Sequence, residues 1–321
     1  MPQINEPLMG RLHYHTGYAL LQTSLKRTLI NHLSKSESAF DIAWITGGEL
    51  FGAEAIKALR NIVPGVVLYH NDDAFGRRDG NRWRSMLKAI PEYDLIALVR
   101  AINVAEAKAL GGKHPVRVWM SYDEVAHAPV SSEEAVSANT QSGVVFIGTW
   151  MQERGPFMAR LLQRGVPLSI YGHRWERAPE WPRLRQAFKG QAIVGRDYAS
   201  AVAEAKICLG LLSKGNRDLH TRRSVEIPYS GGLLCAERTS EHLQMYRENE
   251  EAVFWRDADE CADVCLRLLK SEAEIERIRV NGMRRVRQMR VGNEDICAEI
   301  LDALYSGQSK VDHYFHTGCD E

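Results

Sequence analysis

The chain has 321 residues, of which 45% are hydrophobic, and its 41 basic side chains balance 41 acidic ones. This length predicts about two domains with real hydrophobic cores. A net charge of zero gives no electrostatic footprint for nucleic acid or for an anionic membrane, so neither is predicted as a partner. No apolar stretch approaches the roughly 18 residues of a membrane span, and the first six residues lack the features of a signal peptide.

The six cysteines are scattered along the sequence. Cys208 and Cys235 fall within predicted buried strands, which suits reduced thiols in a core. Cys261 and Cys265 share a predicted helix face, but no second Cys/His pair at zinc spacing accompanies them. We therefore expect no structural metal and a reducing, cytoplasmic location.

Predicted strands and helices alternate through most of the chain, which favours a parallel α/β sheet in each of two domains. In the first half, the predicted strands are 41–46, 66–70, 95–100 and 116–120, and the predicted helices are 17–33, 53–60, 81–90 and one that ends near 110. In the second half, the predicted strands are 144–148, 168–171, 207–212, 233–236 and 252–255. The helices there are predicted at 156–164, 198–205, around Glu226, up to 246, and at 259–270, 273–289 and 294–304. Prolines and tryptophans make 174–188 irregular.

The polar segment 131–142 has no apolar period and is predicted to be an exposed linker. We therefore assign 1–130 to an N-terminal Rossmann-like domain, 143–306 to a C-terminal domain and 307–321 to a mobile tail. No strand is predicted before the helix at 17–33, and no glycine-rich turn is predicted in the first domain. That domain either lacks its first βαβ unit and first strand or is a shortened variant.

The stretch from Arg222 to Cys235 predicts a short helix, a turn at Gly231-Gly232 and a buried strand. Arg222 and Arg223 fall at the helix start, where free backbone N–H groups and the positive dipole end favour an anion such as a diphosphate. Glu226 follows one turn later, where a carboxylate can accept two hydrogen bonds from a sugar or ribose diol.

This stretch resembles the nucleotide-sugar site of the CgeB-like glycosyltransferases, whose signature is Arg-x-aromatic-Glu, then small residues, Gly-Gly and an apolar strand. It is also similar to the E-x7-E element of related retaining transferases, with Asp218 in place of the first Glu and Val225 in place of the aromatic residue. The resemblance is strongest over 144–269. A looser match covers 118–123 with Pro129, which is similar to the interdomain strand and turn of such enzymes.

The resemblance implies an α/β, B-type glycosyltransferase fold in which two Rossmann-like domains face a cleft. It implies transfer of a sugar, hexosyltransferase-like, from a nucleoside diphosphate sugar to an acceptor hydroxyl, with no cofactor and no metal. The C-terminal domain would bind the donor and the N-terminal domain the acceptor. The implied donor-binding residues are Gly148, Thr149, Arg154, Tyr171, Gly172, Gly195, Lys214, Asn216, Asp218, His220, Thr221, Arg222, Arg223 and Glu226.

Within this set, Glu226 would bind ribose, Arg223, Lys214 and Arg154 would bind the diphosphate, and the loops at 171–172 and 194–195 would flank the base. Each assignment has a plain alternative. Arg223 could be a surface arginine paired with Glu226, and Glu226 an ordinary helix glutamate. Asp218 could be a helix N-cap, and His220 an ordinary loop residue. Gly231-Gly232 most simply forms a left-handed helix cap.

Two further groups of ionisable residues lie at the ends of predicted strands. His70, Asp72 and Asp73 come directly after a buried strand, where they could orient an acceptor hydroxyl or supply a catalytic base; a loop with an N-cap is the alternative. Asp257-Ala258-Asp259 matches the D-x-D pattern of metal-dependent transferases, but helix capping explains it and no metal site is predicted.

Two rival function classes remain to be weighed. A non-catalytic sugar-nucleotide binder or assembly protein is favoured by the missing first unit and by Asp218. A nicotinamide-dependent dehydrogenase needs G-x-G-x-x-G after a strand and an acidic residue about 20 positions later, which the sequence lacks. The sequence does not specify the sugar, the base, the acceptor, the stereochemistry or the oligomeric state.

Overall fold

The computed structural model describes residues 7–35, 39–76, 78–130 and 143–306. It divides into two compact units. Within the described residues, the first extends to Trp119 and includes residues 215–217 and 297–306, and the second comprises Met120–Lys214 and Asp218–Ile296. The predicted linker at 131–142 and tail at 307–321 lie outside the described residues, and the predicted domain limits stay a prediction.

The first unit contains a parallel four-stranded sheet in the order β1-β2-β3-β4. Its strands are Ile42–Thr46 (β1), Gly65–His70 (β2), Leu95–Leu98 (β3) and Pro115–Arg117 (β4). Its helices are Pro7–His15 (α1), Gln22–Leu33 (α2), Ala53–Arg60 (α3), Arg84–Ala89 (α4) and Ala101–Ala109 (α5). The strands β2 and β3 are almost wholly buried and apolar, as expected for a parallel sheet covered on both faces.

One expectation about the first unit needs correction. Two glycines, Gly47 and Gly48, follow β1 directly and have φ values of +76° and +75°. These angles lie in the left-handed region that side chains disfavour, so the pair forms a glycine turn at a strand end. The expected absence of a glycine turn is wrong. Among the described residues, the first strand of the unit is β1, which follows α2.

The second unit contains a parallel six-stranded sheet in the order β10-β9-β8-β5-β6-β7. Its strands are Val144–Ile147 (β5), Leu168–Tyr171 (β6), Phe188–Gly190 (β7), Ile207–Gly210 (β8), Leu234–Glu237 (β9) and Val253–Trp255 (β10). Its first helices are Arg154–Gln163 (α6), Trp181–Leu184 (α7), Gly195–Glu204 (α8), Arg223–Tyr229 (α9) and Ser240–Met245 (α10). Then follow Ala258–Leu268 (α11), Glu272–Gln288 (α12) and Asn293–Ser306 (α13), the last of which continues into the first unit.

This topology confirms the predicted α/β class with a parallel sheet in each of two units. The sequence missed α1, α7 and β7; α7 falls in the segment predicted to be irregular, and β7 begins at the end of that segment. Strand β7 has only three residues and is the edge strand, so it carries little of the apolar signal by which strands are recognised. No helix of the described chain is long and apolar enough to cross a bilayer.

The core of the second unit lies between the sheet and its helices, and includes Phe146, Trp175, Leu209 and Trp255. Helix α11 shows why a helix of this unit could be predicted from the sequence. Its buried residues are Cys261, Ala262, Cys265 and Leu268, a spacing that forms one apolar stripe on a helix.

Candidate functional site

A cavity of about 520 Å³ lies in the second unit, with walls that include the ends of β5 and β8 and the start of α9. The chain runs from β5 outward to β6 and β7, and then returns to place β8 on the other side of β5. At such a switch point the loops after the two central strands diverge and leave a crevice. The fold itself therefore produces a ligand-sized cavity at this place.

Helix α9 begins at the cavity and is short for local reasons. It has seven residues and contains Pro228, and Gly231 follows it with a φ of +84°. The next residue, Gly232, packs so closely that an added Cβ would lie 2.5 Å from Val202 Cγ1. The predicted helix, left-handed glycine cap and buried strand are confirmed.

Three arginines, Arg154, Arg222 and Arg223, line this one cavity. Arg223 is held by three contacts: its Nε donates to the Ile147 carbonyl at 3.1 Å, its Nη1 donates to Glu226 Oε2, and its guanidinium lies 4.2 Å from the centre of the Tyr198 ring. The pairing with Glu226 that we considered as an alternative is therefore present. The side chain is still 29% exposed and forms part of the cavity wall.

Glu226 is only 4% exposed, and its two oxygens have different surroundings. Oε2 accepts the hydrogen bond from Arg223, whereas Oε1 lies 3.8 Å from His127 Nε2 and has no hydrogen bond within the described chain. A buried carboxylate oxygen costs free energy unless it finds a donor. Oε1 is thus a hydrogen-bond acceptor at the cavity wall that can still accept a hydrogen bond.

His127 faces this oxygen in a defined tautomer. Its Nδ1 accepts a hydrogen bond from the Asp123 backbone N–H at 3.0 Å, which assigns the ring proton to Nε2, the atom nearest Glu226. Burial lowers the pKa of His127, and this outweighs the opposite effect of Glu226. The ring is therefore neutral near pH 7 and presents an N–H donor at the cavity wall.

Arg154 is 7% exposed and holds two loops together. It donates to the carbonyl of Thr149 at 2.8 Å and to those of Leu211 and Leu212 at 3.3 and 3.2 Å. Its Nε is buried without a hydrogen-bond partner, and no carboxylate of the described residues lies within ion-pair distance. Burial lowers its pKa to about 10, so it stays charged at neutral pH.

Arg222 is the least constrained of the three arginines. Its side chain is exposed at the cavity, and it makes no hydrogen bond or ion pair with any residue in the described ranges. A guanidinium carries five donors in a planar fork, which suits two phosphate oxygens. Arg222 is therefore the cation most available to a bound anion.

A buried hydrogen-bond chain fixes the segment that leads into α9. The Thr221 N–H donates to Ser224 Oγ, and the Ser224 hydroxyl donates to His242 Nε2 at 2.8 Å. His242 Nδ1 in turn donates to the Glu237 carbonyl at 2.6 Å. Burial lowers the pKa of His242 to about 4, which keeps the ring neutral and the chain intact at neutral pH.

His220 has a supporting place. Its Nε2 accepts from the Met120 N–H at 3.1 Å, and its Nδ1 donates to Glu241 Oε2 at 2.5 Å. Both ring nitrogens are thus bound by protein groups, and the ring is 2% exposed. This geometry favours the structural alternative for His220 over contact with a ligand.

The glycines of the predicted set shape the loops. Gly148 and Gly195 line the cavity, and Gly195 has a φ of +59°. A Cβ on Gly172 would lie 2.0 Å from the Gly148 carbonyl oxygen, and the Tyr171 carbonyl accepts the Gly148 N–H. Tyr171 and Gly172 therefore support the loop after β5 but are not among the described residues that line the cavity.

Three other predicted donor-binding residues lie apart from the cavity wall. Lys214 is exposed and pairs with Glu237. Asn216 belongs to the first unit, where its Nδ2 lies 3.3 Å from Asp72 Oδ1. Asp218 is buried, and Arg222 rather than Asp218 occupies the cap position of α9, so the N-cap alternative for Asp218 is wrong.

The acidic residues after β2 belong to the first unit. Asp73 is buried and accepts hydrogen bonds from Arg217, from Asn103 at 2.9 Å and from the Gly76 N–H at 2.9 Å. Burial raises its pKa, but the bonds from Arg217 and Asn103 outweigh this and lower it. Asp73 is therefore charged at neutral pH and paired with Arg217, and its lowered pKa makes it a weak proton acceptor.

His70 and Asp72 differ from Asp73. His70 Nδ1 donates to the Gly47 carbonyl at 2.7 Å, its Nε2 is buried without a partner among the described residues, and burial lowers its pKa to about 4. Asp72 is 43% exposed and lies 3.9 Å from Arg78. Of the three candidates, only Asp72 presents an accessible carboxylate.

The D-x-D segment has the role that its position predicts. Asp257 caps α11 by accepting from the N–H groups of Asp259 and Glu260. Asp259 pairs with Arg160 and Arg164. Both carboxylates are thus used by the protein, which supports the capping interpretation.

Sequence reasoning missed several residues of the cavity wall, above all His127 and Tyr198. His127 lies just beyond the 118–123 segment that resembles the family's interdomain turn, and its contact with Glu226 depends on tertiary structure. Tyr198 is fully buried against the Arg223 guanidinium. Its place in the first turn of α8, three residues after Gly195, was the only signal.

A protein-family model and several solved structures resemble this chain. Residues 154–301 match the model of a family described as glycosyl transferase-like. No curated protein matches the sequence.

Among solved structures, HepE of Anabaena in complex with UDP-glucose is similar with a TM-score of 0.67 at 11% identity, covering 94% of this chain and 90% of that one. An α,α-trehalose-phosphate synthase (UDP-forming) of Burkholderia vietnamiensis gives 0.63 at 12% identity, covering 94% and 78%. Sucrose-phosphate synthase of Thermosynechococcus elongatus gives 0.60 at 12% identity, covering 89% and 80%. Residues 154–301 are therefore similar to a glycosyl transferase-like domain, and the α/β fold with two parallel sheets is that of the two-domain, B-type glycosyltransferases.

Proposed function

We propose that this protein is a CgeB-like glycosyltransferase that moves a sugar from a nucleoside diphosphate sugar to an acceptor hydroxyl. The observation that carries the proposal is the convergence of three arginines and a buried glutamate on one cavity at the switch point of the sheet. HepE of Anabaena binds UDP-glucose. A UDP-sugar is therefore the first donor to test.

In this proposal the diphosphate binds to Arg222 and Arg223, and Arg154 adds positive potential from behind the loops. Arg223 is already fixed by Ile147 and Tyr198, so it loses little freedom when it binds a phosphate. Negative charge grows on the diphosphate as the sugar departs. Preorganised guanidinium donors stabilise that charge, which is the catalytic task of this wall.

Glu226 accepts the ribose hydroxyls in this proposal. Its Oε1 faces the cavity side with no hydrogen bond in the described chain, and the His127 Nε2–H points to the same place. A diol can donate to the carboxylate and accept from the imidazole. This pair therefore offers one more contact to ribose than a glutamate alone would.

The base lies against the loop that leads into α8. Ile193, Val194 and Gly195 line the cavity, and Val194 is 76% exposed. An exposed apolar side chain at a cavity rim gains from covering by a flat ring. We place the base here rather than at Tyr171, which supports the loop after β5.

The remaining assignments follow from which charges stay accessible. Lys214 is paired with Glu237, so the arginines carry the diphosphate in this proposal. In the first unit, we keep Asp72 as the residue that orients the acceptor, because Asp73 is bound to Arg217 and the free His70 nitrogen is buried.

The cytoplasmic location also stays a prediction, and the free thiols of the described cysteines support it.

The test measures ligand binding and turnover separately. A thermal-shift panel of nucleosides, their diphosphates and their diphosphate sugars should show stabilisation that requires the diphosphate, about 2.7 kcal/mol at 100 times the dissociation constant. Release of nucleoside diphosphate from the sugar donor should then be measured with and without candidate acceptors. Absence of any nucleotide binding would refute the proposal.

Arg223→Ala should weaken diphosphate binding by about ten- to a hundredfold and leave nucleoside binding much less affected, since a charge-assisted hydrogen bond contributes about 1.5–3 kcal/mol. The variant leaves Glu226 buried without its partner, so the double variant Arg223→Met/Glu226→Gln controls for stability. Equal losses for the nucleoside and the diphosphate would make Arg223 structural.

Donor binding in this proposal needs no divalent metal, because the cationic side chains take its place. Binding of the nucleoside diphosphate should be the same in EDTA and in magnesium or manganese. Loss of binding in EDTA that either metal restores would contradict this part of the proposal.

A second candidate is a non-catalytic nucleotide-sugar binder. The observation that favours it is the saturation of Asp73, which removes the most buried acidic candidate for catalysis. This candidate predicts tight donor binding with no hydrolysis and no transfer to any acceptor. Slow donor hydrolysis in acceptor-free buffer that Arg222→Ala reduces would favour the enzyme.

A further inference from the structure

Three cysteines meet in the core of the second unit. Cys235 lies in β9, and Cys261 and Cys265 lie one turn apart on α11. Their sulfur atoms all lie within 4.8 Å of one another, and each residue is 0% exposed. None of the three lines the arginine-containing cavity.

The fold brings these residues together through two periodicities. Residues four apart on a helix lie on one face, so both α11 thiols point to the same side. Successive side chains of a strand alternate between the two faces of the sheet, and Cys235 takes the face that α11 covers. The sequence showed the helix pair but gave no sign of the third thiol.

The geometry suits a metal ion. A metal–sulfur bond of about 2.3 Å places three sulfur ligands about 4.0 Å apart in a trigonal site, so the cluster needs shifts of less than about one ångström. Thiolates are soft ligands that select soft ions such as Cu⁺ over hard ions such as Mg²⁺. No histidine or carboxylate of the described residues joins the three cysteines. Structural zinc usually takes four protein ligands, so a three-sulfur set favours a soft d¹⁰ ion that accepts three.

We propose that Cys235, Cys261 and Cys265 form a three-sulfur site for one soft metal ion of the Cu⁺ or Cd²⁺ type. Each thiol gives up its proton as its bond to the metal forms, so complete coordination releases up to three protons to solvent. The bound ion links β9 to α11. Because β9 follows α9 directly in the sequence, the site stabilises the sheet beside the candidate donor cavity without touching a ligand.

The competing explanation is that the thiols are small apolar side chains that fill the core. It predicts no metal stoichiometry and no shared behaviour of the three residues. The proposal predicts that they act as one unit.

The experiment uses the full chain with Cys297 and Cys319 changed to alanine, which removes an exposed thiol and the tail thiol. Reduced protein is refolded from urea with Cd²⁺, because the cluster is buried and must be loaded before it closes. We expect one Cd²⁺ per chain by native mass spectrometry, a sulfur-to-cadmium charge-transfer band in the ultraviolet and a raised Tm. Mg²⁺ should give none of these.

Cys208→Ala is the matched control, because Cys208 is a buried lone thiol on the neighbouring strand β8. It should keep the full cadmium signal, whereas Cys235→Ala and Cys265→Ala should each lose it. If the cysteine variants fail to fold, alkylation mapping of the refolded background protein decides the question. Relative to the metal-free refolded protein, bound Cd²⁺ should slow the alkylation of residues 235, 261 and 265 together by more than it slows that of Cys208, which burial protects in both forms.

Two results would overturn the proposal. One is the absence of stoichiometric Cd²⁺ after refolding in its presence. The other is a cadmium signal that persists in Cys235→Ala, or protection that does not distinguish Cys208 from the three clustered thiols.

Discussion

The charged side chains of the two units differ in whether protein groups pair with them. In the first unit, Asp73 is buried and bonded to Arg217, Asn103 and a backbone N–H. In the second unit, Arg222 has no protein partner among the described residues, and the buried Arg154 lacks both a counter-ion and a partner for its Nε. A buried charge must be paired or must await a ligand. The comparison separates a charge whose partners are all in the protein from charges that still have hydrogen-bond donors to offer.

Each unit also contains a buried histidine that burial keeps neutral at pH 7, His70 in the first and His242 in the second. Burial lowers the pKa of His70 in the first unit and of His242 in the second to about 4 in each case. His242 Nε2 accepts from the Ser224 hydroxyl, which requires the neutral ring, whereas burial alone disfavours the protonated form of His70, whose Nδ1 donates to Gly47 in either form. Acid should therefore act on the two units alike, while substitutions of charged residues should act on them differently.

The largest expected effect is acid destabilisation. Between pH 6.5 and about 4 an unfolded chain protonates these histidines and the folded protein does not, so stability falls as pH falls and levels off below about 4. A pKa lowered from 6.5 to about 4 corresponds to about 3 kcal/mol for each histidine. Urea unfolding from pH 7.5 to 4 measures this slope, with probes for each unit.

His242→Gln should flatten the slope in the second unit, and His70→Asn should flatten it in the first. His173→Asn, at an exposed histidine of the second unit, is the control for replacing a histidine as such. An equal slope in wild type and both buried-histidine variants would remove this explanation.

Asp73→Ala should cost about 2–3 kcal/mol of unfolding free energy, less than the roughly 3–5 kcal/mol of a fully buried pair, because Arg217 is partly exposed and keeps Glu106. The nucleotide affinity of the folded fraction should not change. Urea denaturation and nucleotide titration at low temperature measure the two effects. Asp72→Ala, at a half-exposed carboxylate 3.9 Å from Arg78, should cost less than about 1 kcal/mol. A stable Asp73→Ala protein that binds the donor but has lost turnover would show that Asp73 is a catalytic residue after all.

Arg222→Ala should show the opposite pattern. We expect an affinity for nucleoside diphosphates about tenfold lower, since one exposed guanidinium contributes about 1.4 kcal/mol, and a change in stability below about 0.5 kcal/mol. Calorimetric titration with the diphosphate and the bare nucleoside measures this. Arg185→Ala removes an exposed arginine of the same unit that is not part of the cavity wall, and it should bind like wild type. If both arginine variants lose affinity equally, the effect is one of net charge.

The smallest effect sharpens the role of Glu226. In Glu226→Gln, one oxygen can still accept from Arg223, but the second acceptor facing His127 becomes an amide donor. The preference for ribonucleotides over 2′-deoxy analogues should fall by about fivefold, the effect of one net hydrogen bond of about 1 kcal/mol. Paired titrations of the two analogues measure the ratio. An unchanged ratio would place the ribose elsewhere.

Much of the fold could be predicted because its signals are local. Helix α9 and the strand after it follow from Pro228, the left-handed Gly231 and a run of apolar residues. Strands β2, β5 and β8 appear as short apolar runs because both of their faces are covered. The three-residue edge strand β7 carried too few apolar side chains to be recognised.

The site was predictable only in part. Sequence pattern and family resemblance placed Arg154, Arg222, Arg223 and Glu226 in a donor site, and these four line one cavity. The same reasoning gave Lys214 and His220 ligand roles, although one pairs with Glu237 and the other is buried between Met120 and Glu241. Residue type alone does not reveal whether a cation already has a partner.

By itself, the sequence determined the alternation of strands and helices, the glycine cap of α9 and the basic start of that helix. These depend on backbone conformation and on periodicities within about ten residues. Only the tertiary structure decided that His127 faces Glu226, that Arg217 neutralises Asp73 and that Cys235 joins Cys261 and Cys265. Such contacts join residues 26 to 144 positions apart, and burial and pairing across those distances set the free energy of each charge.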